Sequence, residues 1–311
     1  MTSTSAAPAI EFEALEKSYA SARALRGIDL SVGQGELFGF LGPNGAGKTT
    51  AIRILLDLIR PTAGHARVLG HDAQRDPVEV RRHIGYLPGD AQFPRDVTSA
   101  DLFAYVERLR RGGLDHAYLR RLVDDLQLDT SRQIRALSRG NRQKVAVIQA
   151  LMARPELVIL DEPTTGLDPL MQDVVELLLQ EVAADGRTVF FSSHVLAEVE
   201  QVCTRAAILR EGHIVNVIDL AEQRRIAPRE VRVIFEQPPA PDAFDAVPGI
   251  RVIAVAGSEA RFETDGGIDA LIKALARHTV VELESSEPTL EELFRKYYQA
   301  PENGTESAVT S

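Results

Sequence analysis

The sequence predicts an α/β fold, with a buried and mostly parallel sheet followed by a smaller α/β domain. Three observations carry that expectation. Short continuous apolar runs at 36–41, 157–160 and 188–191 are separated by helical patterns. A Gly-rich turn lies between the first of these runs and a helix. From residue 229 the texture changes, with apolar residues alternating with charged ones. Continuous apolar strands suit a sheet covered on both faces, whereas alternation suits a strand with one face in water.

The elements follow in order. Residues 36–41 read as a buried strand, and 48–59 as a helix with Ile52, Leu55, Leu56 and Ile59 on one face, stopped by Pro61. A helix-rich insert spans about 97–153. It opens on Thr98 as N-cap with Asp101 three residues on, and the stripe Leu102, Tyr105, Val106 and Leu109 reads as core. Residues 157–160 and 188–191 are two further buried strands. Beyond them Val231, Val233 and Phe235 recur at every second position among charged residues, as in a half-buried strand, and a break follows at Pro238, Pro239 and Pro241. Strands are expected at 251–255, 261–264 and 280–283, and helices at 268–277 and 288–298. The domains are therefore placed at 9–228 and 229–299, with 1–8 and 301–311 as frayed tails.

Composition sets limits on function. The 311 residues include 35 basic and 45 acidic side chains, a net charge of -10, which argues against broad electrostatic binding to nucleic acid and leaves only a local basic groove open. The N-terminus has neither the basic start nor the apolar run of a signal peptide, and no stretch approaches the ~20 apolar residues that cross a bilayer. A single cysteine, Cys203, has no partner for an internal disulfide, which fits a reducing compartment. Set among Val199, Val202 and Ala206, it reads as a small buried hydrophobe.

The sharpest chemical signal is Gly42-Pro43-Asn44-Gly45-Ala46-Gly47-Lys48-Thr49, between a predicted strand and a predicted helix. Glycines let the backbone curl so that successive N–H groups converge on phosphate oxygens, and the helix behind adds its positive end. Lys48 is suited to the β- and γ-phosphates and the Thr49 hydroxyl to Mg²⁺. The run 157–160 ends in Asp161-Glu162. Asp161 is suited to hold the metal and Glu162 to act as general base toward water. His194 follows a strand, where it either contacts a γ-phosphate or serves as a satisfied structural histidine. Leu137-Ser138-Arg139-Gly140-Asn141 opens a helix, as a plain N-cap or as a second anion site.

In this order, the motifs resemble the nucleotide-binding subunits of ABC transporters over about 10–225. The resemblance implies a P-loop NTPase ABC cassette, with a mostly parallel sheet and a helical signature insert. It makes 42–49 the Walker A loop, extending to Thr50, and 157–162 Walker B. It makes 137–141 the signature, 164–168 the D-loop and His194 the switch histidine. It implies that Tyr19 stacks on adenine, that Asp168 and the signature residues Ser138 and Gly140 reach a partner's nucleotide, and that ATP with Mg²⁺ is bound. Two positions depart from the pattern. Arg139 and Asn141 replace Gly and Gln of the usual signature, and Gly89 stands where a glutamine usually meets the metal. An ordered water, Asp90 or Gln92 then remains to fill that place.

Segments 88–90, 138–141 and 288–294 look like drug-exporter-type subunits, in which ATPase and permease are separate chains. Each motif occurs once, so a complete site calls for a second copy, arranged head to tail. The expectation is an ATP-hydrolysing subunit that energises an exporter, at the cytoplasmic face of the membrane through a permease. The rivals are a soluble ABC ATPase acting on nucleic acid or ribosomes, and an importer ATPase.

Overall fold

A computed structural model describes residues 7–20, 22–110, 113–220, 222, 229–240, 242–264 and 268–286. The expected helix at 288–298 and the tail at 301–311 lie outside them. The chain divides into two compact units, one through Asp219 and one from Leu220. The division falls earlier than the boundary expected after 228, and 223–228 are also outside the described residues.

The first unit holds two sheets. A hairpin of β1 (Ile10–Tyr19) and β2 (Ala22–Val32) pairs with β4 (Ala63–Val68), which in turn pairs with β5 (His71–Asp72), all antiparallel. The second sheet has the order β10-β9-β3-β8-β7-β6, from β3 (Leu37–Leu41), β6 (Ile84–Leu87), β7 (Leu157–Asp161), β8 (Thr188–Ser193), β9 (Arg205–Arg210) and β10 (His213–Asp219). Only β10 runs antiparallel to its neighbour. Strands β3, β7 and β8 are buried along their whole length, as their unbroken apolar runs require. Helix α1 (Lys48–Leu55) packs into one core with both sheets, through Ile52, Leu55, Phe12, Phe40 and Phe190.

Two expectations change. Helix α1 ends at Leu55, because Asp57 takes a left-handed φ of 52° that turns the chain out of the helix. Ile59 still packs against the core, but from the turn. Helix α3 (Ser99–Leu109) has the expected Thr98–Asp101 capping box. Its buried residues, however, include Leu102 and Phe103, while Tyr105 and Leu109 are exposed. The apolar stripe is therefore a surface over half its length, and not core. Helices α2 (Pro77–Arg82), α4 (His116–Asp125), α5 (Arg139–Leu151), α6 (Pro169–Ala184) and α7 (Leu196–Val202) complete the unit. Among the described residues no helix is long and apolar enough to cross a membrane.

The second unit is an antiparallel sheet of order β12-β13-β11-β14, from β11 (Arg229–Phe235), β12 (Ile250–Ala256), β13 (Glu259–Thr264) and β14 (Val280–Ser286), with α8 (Asp269–Leu275). Val231, Val233 and Phe235 are its buried face, with Phe244, Phe262 and Leu271.

Candidate active site

The loop after β3 is shaped by contacts that exclude side chains. Gly47 has φ 113°, and a Cβ there would stand 2.5 Å from the Ala24 carbonyl oxygen. A Cβ on Gly42 would meet the Leu209 carbonyl oxygen at 2.3 Å. The loop is thus pressed between β2 and β9, and α1 begins at Lys48 without a side-chain cap. Its first N–H groups are left for an external acceptor.

Lys48 is 5% exposed. Its Nζ donates to the carbonyls of Gly42 at 2.6 Å and Pro43 at 3.3 Å, and lies 3.8 Å from Glu162 Oε1. Burial pushes this ammonium below its usual range, and the pull of Glu162 and Asp161 opposes it. The Thr49 hydroxyl donates to Asp161 Oδ2 at 2.7 Å, and the Ser192 hydroxyl to Asp161 Oδ1 at 2.5 Å. A hydroxyl and a carboxylate held together this way are the hard oxygen donors that suit Mg²⁺.

Glu162 follows β7 in the left-handed region, at φ 54°. Its N–H donates to the Ser192 carbonyl at 3.1 Å, which ties the ends of β7 and β8 together. Gln143 of α5 donates through Nε2 to the carbonyls of Glu162 at 3.3 Å and Pro163 at 2.8 Å. His194 Nδ1 lies 3.1 Å from Glu162 Oε1. An ionised carboxylate only accepts, so Nδ1 carries the proton and Nε2 is the free face. Lys48, Thr49, Asp161, Glu162 and His194 are therefore brought to one place, beyond the ends of parallel strands.

The signature and D-loop residues form a second group. Ser138 caps α5 by accepting from Asn141 N at 3.2 Å, and Asp168 caps α6 by accepting from Met171 N at 3.1 Å. A Cβ on Gly140 would come within 2.9 Å of the Gly166 carbonyl oxygen, so the two caps lie side by side. Tyr19, at the end of β1, is 45% exposed, with Lys17 Nζ 5.0 Å from its ring centre.

A cleft lined by Thr49, Arg53, Tyr86, Gly89, Asp161 and Glu162 also takes in Asp90 and Gln92. Gly89 runs beside Asp161, with its Cβ direction 3.4 Å from Oδ2. Gln92 Nε2 donates to Asp90 Oδ2 at 3.2 Å, so these two residues act as one pair. Burial and the Asp161 charge push the Tyr86 hydroxyl up to about 12, which keeps it a neutral donor. Sequence reasoning missed Tyr86, Gln143 and Ser192. Only Ser192, adjacent to the Ser193-His194 pair, left any local signal.

The chain is similar to known proteins. A family model described as ABC transporter matches residues 25–165. An uncharacterized ABC transporter ATP-binding protein of Synechocystis sp. is 39% identical over 64% of this chain and 57% of its own length. The daunorubicin/doxorubicin resistance ATP-binding protein DrrA of Streptomyces peucetius is 36% identical over 67% of this chain and 64% of its own length. The ABC transporter ATP-binding protein NatA of Bacillus subtilis is 34% identical over 62% of this chain and 80% of its own length. The chain thus spans less than two thirds of the first two. A solved ATP-binding subunit of an ABC transporter superposes with a TM-score of 0.62 at 28% identity, over 70% of this chain and 92% of that one.

Proposed function

This chain belongs to the ATP-binding proteins of ABC transporters, and from that premise we propose that it binds and hydrolyses ATP to drive an exporter. The observation that carries the reading is the single cluster of Lys48, Thr49, Asp161, Glu162 and His194, joined by contacts of 2.7 to 3.8 Å. Backbone N–H groups of 44–50 hold the phosphates in the loop that Gly42 and Pro43 open, and Lys48 offsets their charge. Tyr19 offers its open ring to adenine. Thr49 and Asp161 would hold Mg²⁺, which would supply charge neutralisation to the phosphates. Glu162 takes a proton from water as the water oxygen attacks the γ-phosphorus, and the bond to ADP breaks. His194 keeps the Glu162 carboxylate in place through Nδ1–H and turns Nε2 toward the phosphate.

Ser138 and Asp168 are helix caps and Gly140 lies in the first turn of α5, away from the phosphate loop of the same motif set. A second copy, related by a two-fold axis, would bring them to this cluster and complete two equivalent sites. The exporter reading rests on DrrA, named for drug resistance, and on the 288–294 segment. A membrane permease finds a docking face in the groove lined by Leu56, Leu58, Ile84, Tyr86, Val106 and Arg110. Leu58 is exposed there, and the Gln149 Oε1 that also lines the groove is buried without a hydrogen-bond partner. Tyr86 lines both the groove and the cleft, and so links the permease to the metal site. Such a partner would place the chain on the cytoplasmic face of the membrane.

The test is turnover by purified protein. Glu162→Gln should keep ATP affinity and lose roughly 10²-fold or more in hydrolysis. Near-normal hydrolysis would remove Glu162 from the role. For the permease, Leu58→Asp should abolish co-sedimentation with membranes that carry the partner and leave hydrolysis by the isolated chain intact.

A further inference from the structure

The strained Glu162 backbone and the exposed His194 side chain sit on separate loops, after β7 and after β8. A residue in the left-handed region without being glycine costs roughly 1–2 kcal/mol, and persists only when its surroundings over-determine it. Gln143 and the Ser192 carbonyl fix the Glu162 side of that arrangement. His194 has no equivalent, and its side chain is 44% exposed.

Glu198 supplies the missing tie. It stands in the first turn of α7, four residues after His194, and its side chain reaches back along the helix. Its Oε1 accepts from the Thr164 hydroxyl at 2.8 Å, and its Oε2 accepts from the Ser193 hydroxyl at 2.5 Å. Thr164 lies two residues after Glu162, and Ser193 immediately before His194. Both are almost fully buried, at 2% and 1% exposed. The Ser193 oxygen in turn accepts from Val195 N at 2.9 Å, which closes the turn that carries His194. One carboxylate thus holds both flanks of the Glu162–His194 pair. Bonds to an ionised acceptor are about twice as strong as neutral ones.

We propose that Glu198 is a positioning residue for hydrolysis, which clamps Thr164 and Ser193 so that Glu162 and His194 meet in working geometry. The proposal rests on ATP hydrolysis with Glu162 as base. It assigns Glu198 no contact with nucleotide or metal, so its loss should fall on kcat and spare ATP binding. A misplacement of about 1 Å costs up to about 10²-fold in rate.

The experiment measures kcat, KM and melting temperature for the parent, Glu198→Ala, Glu198→Gln, Ser193→Ala and Glu162→Gln, and for Glu198→Ala combined with Glu162→Gln. Glu198→Ala should lower kcat by about 10- to 100-fold, with KM for ATP within about twofold. Glu198→Gln can still accept one of the two hydroxyl protons through its amide oxygen, so it should fall between parent and Ala. In the Glu162→Gln background the Glu198→Ala change should cost almost nothing further, because a clamp on an absent base has nothing to position. If Glu198→Ala fails to fold, Glu198→Gln and Ser193→Ala carry the same comparison. Normal kcat in all three Glu198 and Ser193 variants, beside a crippled Glu162→Gln, overturns the clamp alone. So does a loss that appears equally in KM or that adds fully in the double variant. Normal hydrolysis by Glu162→Gln overturns the clamp and the assignment of the base together.

Discussion

Two groups of residues in the first unit look alike as sequence motifs and differ in how they are held. Around the phosphate loop, Lys48, Thr49, Asp161, Glu162 and His194 are bonded to one another or to neighbouring backbone. Around the signature, the side chains of Ser138 and Asp168 cap their own helices and make no other bond among the described residues. The first group is assembled by the fold of one chain, and the second is offered outward. Under the proposed function the difference locates the cooperative step: chemistry would be preset within a chain, and its completion would depend on meeting another copy.

The largest expected effects break the two groups separately. Glu162→Gln and Ser138→Arg should each reduce turnover by roughly 10²-fold or more. They should act in opposite directions on assembly. With Mg-ATP, Glu162→Gln should elute as a stable dimer in size-exclusion chromatography, because the site closes and cannot proceed. Ser138→Arg added to that background should return the protein to monomer and leave nucleotide binding by the monomer within a few-fold. A dimer that forms equally without nucleotide would contradict the division of labour drawn above.

A smaller effect sharpens the comparison at Gly89, where the assembled group lacks its usual amide. Asp90 and Gln92 reach the same cleft and bond to each other. If the pair serves the metal or the water, Asp90→Ala and Gln92→Ala should each cost roughly tenfold in permease-stimulated hydrolysis, about one hydrogen bond's worth. The double variant should then cost no more than either single change. Parent-like behaviour in both would leave the place to ordered water. Asp90→Ala should also weaken Mn²⁺ binding, measured directly with ATP present, if its carboxylate touches the metal.

What the sequence disclosed follows the same line. Groups carried by contiguous strings were legible: residues 42–49, Asp161-Glu162, and the Thr98 capping box. So was the alternation of Val231, Val233 and Phe235. The hairpin of β1 and β2 was not read, although Ile28, Leu30 and Val32 alternate, because bulges interrupt its pairing at several points. The end of α1 depended on Asp57 taking a left-handed turn that its residue type merely permits. Gln143 and Glu198 were illegible for a different reason. Their partners are distant in sequence, 20 residues for Gln143 to Pro163 and 34 for Glu198 to Thr164, and only the sheet order brings them together. Tyr105 and Leu109 misled because helical spacing marks an apolar face without saying what covers it.

The smallest effect concerns α6, which belongs to both groups. Asp168 caps its start and is offered outward. About two turns on, Glu176 is 6% exposed and faces the assembled side. There it meets Glu198 of α7, Asp173 of its own helix and the buried Cys203 thiol, and one of its oxygens, Oε2, has no hydrogen-bond partner. Burial, then Glu198, then Asp173 raise its carboxyl to about 7 from an ordinary 4.5. In the folded chain it therefore keeps a proton that the unfolded chain has released over that interval. Folding stability from this group is full below about pH 4.5 and is lost as pH rises through 7. Glu176→Gln, neutral at every pH, should melt close to the parent at pH 5 and above it at pH 8, by on the order of 1–2 kcal/mol or a few degrees. Melting curves of the two proteins that shift in parallel from pH 5 to pH 8 would show that Glu176 is ionised in the fold. The charge on the assembled side of α6 would then have to be neutralised by something other than a proton.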